Sequence, residues 1–298
     1  MALRRLLGEG DLIVAPGAVD GLQALLARRA GARCCYLSGA AFSASLGLPD
    51  IGLFGLAELA ERTRVVARAS GLPFIVDADT GFGEALNVVR TVRELEEAGA
   101  GAVQLEDQAN PKRCGHLEGK ELVTADHMVE KVAAAASARH HTLVVARTDA
   151  AAVGGVDEAI ERARRYVEAG ADIIFPEALT TEADLATVSK ALEGVPLLAN
   201  LTEFGRTPLL GARRLGELGY RIVIFPVSAL RVAARAAAEL YAELMASGTQ
   251  EPLLGRMQTR AELYELLRYG DYSELDGSLA RGEPLERLPG AGQEQKEE

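Results

Sequence analysis

The chain has 298 residues, of which 48% are hydrophobic and 25% charged, and its formal net charge is −11. This is an ordinary globular composition, and the acidic balance argues against nucleic acid and anionic membrane surfaces as main partners. A small anionic substrate is still allowed, because a local cluster of arginines fits inside an acidic protein.

Tryptophan is absent and aromatics make up 5% of the chain, so the core must rest on Ala, Leu, Val and Ile. Arg4 and Arg5 are followed by Glu9 and Asp11 before any long apolar run. The N-terminus therefore reads as neither a signal peptide nor a membrane span. Cys34 and Cys35 adjoin in an apolar run. They read as reduced core thiols, which points to the cytoplasm.

The predicted strands, in chain order, are Leu12–Ala15, Cys34–Leu37, Phe74–Val76, Gly101–Leu105, Thr142–Ala146, Asp172–Phe175, Pro196–Ala199 and Arg221–Phe225. Helical spacing fills the intervals: Val88, Val92 and Leu95 form one apolar stripe, and Ile160, Ala163 and Val167 another. Gly31, Gly71, Gly99, Gly170, Gly194 and Gly219 each stand shortly before a strand, where glycine suits the left-handed end of a helix. Repeated strand–helix units over about 235 residues match a (β/α)8 TIM-type barrel, typically about 250 residues long. An open doubly wound sheet is the alternative, but no Gly-rich turn follows the first strand. Beyond the last unit, Met257–Tyr269 reads as helical, so residues 1–281 form a single barrel domain with a C-terminal helical extension. Residues 282–298 have little to bury and are expected to be a disordered tail.

Active sites of such barrels lie at the C-terminal ends of the strands. Ser38 and Gly39 follow the second strand, Asp77 and Asp79 the third, Glu106 the fourth, and Arg147 and Asp149 the fifth. Glu177 follows the sixth, Asn200 and Thr202 the seventh, and Ser228 and Arg231 the eighth. Packing alone has no need for such a rim. Asp77, Asp79 and Glu106 suit a hard divalent cation such as Mg²⁺, which takes a few carboxylates and keeps exchangeable water. Asp79 alone has another reading, as a cap for the helix beginning near Glu84. Arg147, Arg231 and Arg260, with Lys112 and Arg113, offer cations for two or more substrate carboxylates.

The segment Gln104–Lys120 is the most unusual, with Glu106, Asp107, Lys112, Arg113, Cys114, His116 and Lys120 in one stretch. The cationic neighbours of Cys114 favour its thiolate, so this thiol suits proton exchange near neutral pH. Zinc at Cys114 and His116 would lack a second ligand pair. His127, His140 and His141 read as surface residues.

Together these motifs resemble the isocitrate lyase and phosphoenolpyruvate mutase superfamily. The matching pieces are YLSGA at Tyr36–Ala40, SLGLPD at Ser45–Asp50, VDADTGFG at Val76–Gly83, LEDQ at Leu105–Gln108 and KRCGH at Lys112–His116. ARTDA at Ala146–Ala150, FPEA at Phe175–Ala178, ANLTEFG at Ala199–Gly205, SALR at Ser228–Arg231 and MQTRAELYE at Met257–Glu265 continue the series. FPEA, TEFG and MQTR incline to the branch that cleaves 2-methylisocitrate. The resemblance implies a barrel whose eighth helix is swapped with a neighbouring subunit, in a homotetramer built as a dimer of helix-swapped dimers. It implies Mg²⁺, replaceable by Mn²⁺, held mainly through water at Asp77, Asp79 and Glu106. It also implies a small anionic di- or tricarboxylate substrate. The positions that would hold it are Ser38, Gly39, Ala40, Cys114, Gly115, His116, Arg147, Glu177, Asn200, Leu201, Thr202, Arg231 and Arg260. The implied chemistry is a retro-Claisen cleavage, with Cys114 as proton donor, His116 beside it, and Tyr36 or Glu177 as base. Ala40 and Leu117 depart from the branch, which more often carries glycine and arginine there. Other branches, acting on carboxyphosphonoenolpyruvate, isocitrate, oxaloacetate or dimethylmalate, are the rivals. A non-catalytic scaffold is disfavoured by the intact set of acidic, thiol and arginine groups.

Overall fold

Eight short strands, each alternating inward and outward side chains, set the architecture. The computed structural model describes residues 2–113 and 119–284. Its strands are β1 (Ile13–Pro16), β2 (Cys35–Leu37), β3 (Phe74–Asp77), β4 (Ala100–Glu106), β5 (Leu143–Thr148), β6 (Ile173–Pro176), β7 (Leu198–Asn200) and β8 (Ile222–Phe225). All pair in parallel, β2 to β6 consecutively, with β8 between β1 and β7. Bridges between Gly17 and Tyr36 and between Ile174 and Leu197 join the two runs, which gives the expected barrel order.

The strands reach further toward the rim than apolar composition suggests. Asp77, Glu106, Arg147 and Asn200, expected beyond the strands, lie inside the ends of β3, β4, β5 and β7. Ladder pairing explains the difference: Asp77 stands opposite Gln104, Glu106 opposite Arg147, and Asn200 opposite Ile224. A β-carbon at Gly17 would meet the Pro226 carbonyl oxygen at 2.1 Å, so glycine lets the chain leaving β1 close against the end of β8.

The helices are α1 (Ala2–Glu9), α2 (Gly21–Arg29), α3 (Gly39–Ser45), α4 (Leu56–Ser70), α5 (Ala85–Glu97) and α6 (Ala125–Ala138). They continue with α7 (Val156–Glu168), α8 (Glu182–Ala191), α9 (Ala212–Glu217), α10 (Ser228–Ser247), α11 (Arg260–Leu266) and α12 (Tyr269–Ala280). The six glycines expected before strands all have positive φ, from 66° at Gly71 to 107° at Gly170. None of the helices among the described residues is long and apolar enough to cross a membrane.

Alternation divides the core. Ile13, Tyr36, Ile75, Val145, Phe175 and Ile224 point inward and fill the barrel with their neighbours, while outward residues such as Val76, Val103 and Val144 pack beneath the helices. Each such side chain contributes about 1.5–3 kcal/mol when fully buried. An element absent from the sequence expectation, α1, stoppers the far end: Leu3 and Leu6 join the inner cluster. Arg221 donates to the Leu7 carbonyl at 3.1 Å, and Arg4 pairs with Asp172 at 3.2 Å.

The C-terminal helices behave differently. No residue of α10, α11 or α12 is buried, and Tyr241 and Met245 on α10 lie open. Val14 on β1 and Leu22 and Leu26 on α2 are also uncovered. Gly282–Pro284 form no helix or strand, and the rest of the expected tail, residues 285–298, lies outside the described residues.

Candidate active site

The inward positions that are apolar inside the barrel turn polar one inward step further along β2 to β7, while β1 and β8 stay apolar. Ser38 follows Tyr36, Asp77 follows Ile75, Gln104 and Glu106 follow Ala102, Arg147 follows Val145, Glu177 follows Phe175, and Asn200 follows Leu198. The period of two thus aims these groups at one cleft. The cleft is narrow, with a cavity volume of about 50 Å³, and opens to solvent, with Ser38, Asp77, Lys112, Arg147, Glu177 and Thr202 among its polar walls. Phe175, Ile224 and Val227 supply its apolar side.

Asp77 is held by three donors: Gly39 N–H at 3.1 Å, Asp79 N–H at 3.2 Å and Gln104 Nε2 at 3.0 Å. Asp79 stands in the left-handed region at φ 47°, a conformation aspartate tolerates and functional sites retain. Burial, with Asp77 alongside, pushes its carboxyl up to about 7, although Lys112 pulls it down from 2.8 Å. Neither Asp79 oxygen accepts an aligned hydrogen bond, and Glu106 Oε1 has no partner. Burial drives Glu106 well above the usual carboxylate range, against the pull of Arg147 and Lys112. Asp79 Oδ2 and Glu106 Oε1 are buried acceptors with no donor, and they call for positive charge beyond that of Lys112 and Arg147. A β-carbon at Gly39 would meet Asp79 Oδ1 at 2.9 Å and Asp77 Oδ2 at 3.2 Å, so glycine leaves this cradle open. Among the described residues no three acidic, imidazole or thiol groups stand ready to ligate an ion directly. The unpartnered buried oxygens of the trio and the open cradle at Gly39 nevertheless fit a hard divalent cation such as Mg²⁺.

Arg147 crosses the cleft floor. It contacts Asp149 at 2.9 Å, Glu106 at 3.2 Å and Glu177 at 3.8 Å, and its guanidinium lies 5.3 Å from the Phe175 ring centre. Burial opposes its charge, but Asp149, Glu106 and Glu177 hold it well above its ordinary pKa. Lys120 reaches Asp149 from the other side at 2.7 Å. Asn200 donates to Glu177 at 3.1 Å.

The structure therefore gathers Tyr36, Ser38, Ala40, Asp77, Arg147, Glu177, Asn200 and Thr202 at the cleft, with Gly39, Asp79 and Glu106 adjoining it. Leu201 packs its side chain into the outer core. Arg231, in the first turn of α10, pairs with Glu203 at 3.5 Å and lies over the Phe204 ring, outside the cleft wall. Arg260 begins α11 and is exposed, away from the cleft of its own chain. Cys114, Gly115 and His116 lie outside the described residues. The alternative reading of Asp79 as a helix cap is not seen: α5 starts after Glu84, where Asn87 accepts the Glu84 N–H. Sequence reasoning passed over Asp50, which pairs with Lys112, and Gln108, which bonds both the N–H and the carbonyl of Arg113. It also passed over Gln104, although its place two residues before Glu106 on an inward phase was a usable signal.

Barrel and rim together define a (β/α)8 enzyme. Residues 3–245 match the family model described as phosphoenolpyruvate phosphomutase, and the chain belongs to that family. It is 51% identical over 281 residues to the 2-methylisocitrate lyase of Aeropyrum pernix, covering 94% of this chain and 91% of that protein. Crystalline 2,3-dimethylmalate lyase, described as a member of the phosphoenolpyruvate mutase/isocitrate lyase superfamily, superposes with a TM-score of 0.88 at 37% identity. That match covers 93% of this chain and 94% of the other. Phosphonopyruvate hydrolase, solved with oxalate and Mg²⁺, matches with a TM-score of 0.82 at 33% identity over 94% of this chain and 97% of its own.

Proposed function

We propose that the protein is a Mg²⁺-dependent carbon–carbon lyase that cleaves 2-methylisocitrate to pyruvate and succinate. The observation that carries this reading is the cradle of Asp77, Asp79 and Glu106 beside Arg147, with Phe175 and Ile224 closing an apolar side. The identity of about half the residues with a 2-methylisocitrate lyase supports the substrate.

Mg²⁺, when bound, would be held by Asp77, Asp79 and Glu106 and would supply positive charge to the substrate's hydroxy-carboxylate end. Arg147 orients a substrate carboxylate, with Glu106 and Asp149 fixing the plane of its guanidinium. Glu177 or Tyr36, both in the cleft wall, takes the hydroxyl proton. The bond from the hydroxyl-bearing carbon then breaks, and its electron pair stays with the succinate portion. Cys114, next but one to His116 in sequence, delivers a proton to the succinate carbon that keeps this pair. Phe175 and Ile224 border the methyl group that distinguishes this substrate from isocitrate.

The wider assignment is a cytoplasmic homotetramer of helix-swapped dimers. The open apolar residues of α10 and the uncovered Val14, Leu22 and Leu26 support exchange of that helix with a second copy. Reduced, buried Cys34 and Cys35 support the compartment.

The test presents 2-methylisocitrate, isocitrate, 2,3-dimethylmalate and oxaloacetate separately with Mg²⁺ and identifies products by mass. A methyl-sized contact is worth about 1–3 kcal/mol, so kcat/KM should favour 2-methylisocitrate over isocitrate by about 10- to 200-fold. Equal rates on those two, or faster turnover of 2,3-dimethylmalate, would overturn the substrate assignment.

A further inference from the structure

We infer that Gln104 is a positioning residue that sets the direction of the hydrogen bonds beneath the cation site, orienting Asp77 on one side and Tyr36 on the other. This rests on the assignment of the cation to Asp77, Asp79 and Glu106. Gln104 is fully buried at an inward position of β4, two residues before Glu106. Its Nε2 lies 3.0 Å from Asp77 Oδ1, and its Oε1 lies 2.8 Å from the Tyr36 hydroxyl.

Only one arrangement of protons satisfies both contacts. Asp77 Oδ1 already accepts the Asp79 N–H and serves as an acceptor there, so the group facing it is the NH₂ of the amide. The amide oxygen then faces Tyr36, and the phenol must donate. Burial, with Asp77 nearby, pushes the Tyr36 phenol well above its ordinary value, which keeps that proton in place. The amide therefore does two jobs with one plane. It holds Asp77 Oδ1 alongside the Asp79 N–H, which leaves Oδ2, bonded to the Gly39 N–H, nearest the open cradle. It also commits the Tyr36 proton to the barrel interior, so the remaining lone pairs of that oxygen are free to accept from a hydroxyl in the cleft. A neutral amide is a poor proton acceptor, so no proton passes from Tyr36 into the barrel, and Glu177 becomes the better base of the two candidates.

The consequence is measurable without turnover. Groups that orient metal ligands typically change metal affinity by about 10- to 100-fold when removed. Gln104→Met fills the space but can neither donate to Asp77 nor accept from Tyr36. Gln104→His restores one donor and one acceptor at a similar separation in a single plane. Mn²⁺ affinity of the full-length enzyme would be measured by titration calorimetry and electron paramagnetic resonance, with circular dichroism confirming the fold. The expected result is Mn²⁺ binding about 10- to 100-fold weaker in Gln104→Met, with most of the loss recovered in Gln104→His. Affinity of the Met variant within about twofold of the parent would overturn the inference, because the expected loss is at least tenfold. Equal weakening in both variants would overturn it too, since that would mark a packing role. Failure of the parent to bind Mn²⁺ sinks the cation assignment and this inference together. A parent that binds Mn²⁺ but cleaves no 2-methylisocitrate sinks only the substrate assignment.

Discussion

Replacing Lys120 by methionine removes one of two cations that hold Asp149, and the cost follows from their surroundings. The Asp149 side chain is 0% exposed and that of Lys120 2%, with the ammonium 2.7 Å from Oδ1. Arg147 grips the same carboxylate through Nε at 2.9 Å and a terminal nitrogen at 3.1 Å. Taking one partner from a buried ion pair costs about 3–5 kcal/mol. Because Arg147 stays in place, the lower end applies, about 3 kcal/mol. At about 2–4 °C per kcal/mol for a large domain, the melting temperature should fall by roughly 6–12 °C. The pH dependence has a definite sign. Burial alone would raise the Asp149 carboxyl, but Arg147 and Lys120 outweigh it and hold the group below its ordinary value. Asp149 therefore contributes stability above its unfolded-state pKa and loses it as pH falls through the depressed folded value. Without Lys120 the folded value rises, so the variant's extra instability at neutral pH should shrink on acidification. Scanning calorimetry of parent and variant across the acidic and neutral range measures both effects. A melting temperature within about 2 °C of the parent at neutral pH would show that desolvation of the ammonium cancels its attraction, and this account of the network would be refuted.

Asp79→Ala should abolish tight Mg²⁺ or Mn²⁺ binding with an intact fold, checked by calorimetric titration; unchanged affinity would remove Asp79 from the site. Glu96 accepts the N–H groups of His141 and Thr142 at 2.7 Å and of His140 at 3.0 Å. Burial opposes its charge, yet these bonds bring its carboxyl from 4.5 down to about 2. Glu96→Gln should therefore cost about 2 kcal/mol at neutral pH. The parent's advantage should vanish as pH falls through about 2, and urea unfolding with an advantage independent of pH would count against it. Cys114→Ser should slow the chemical step by about 100-fold or more with little change in KM, read in single-turnover kinetics. Near-normal turnover would assign the proton to another group.

The strands were legible because they are short apolar runs, six of them preceded by a helix that ends at glycine, and the barrel follows from their repetition. The strand ends were less legible. An apolar run stops at Val76, Leu105 and Ala146, whereas the backbone ladder continues through Asp77, Glu106 and Arg147. Helix α3 was hidden because its sequence, GAAFSAS, shows no apolar stripe; it starts where Ser38 accepts the Ala41 N–H at 3.3 Å. Gln104 was masked by Val103 and Leu105, whose side chains face the other way into the outer core. Arg231 and Arg260 are marked by motif alone. Motif resemblance alone does not place a residue in space, and in this chain both lie away from the cleft.

The stopper at the barrel's far end imposes an order in time. The first strand takes its ladder partner from the last one, and Leu7 in the opening helix is bonded by Arg221, 214 residues later. At about 5–20 residues per second, roughly 10 to 40 s of synthesis separate these two ends. Throughout that interval Leu3, Leu6 and Ile13 have no finished interior to enter. This early segment is thus seated only after β8 has been made, and its apolar side chains need shielding from other apolar surfaces until then.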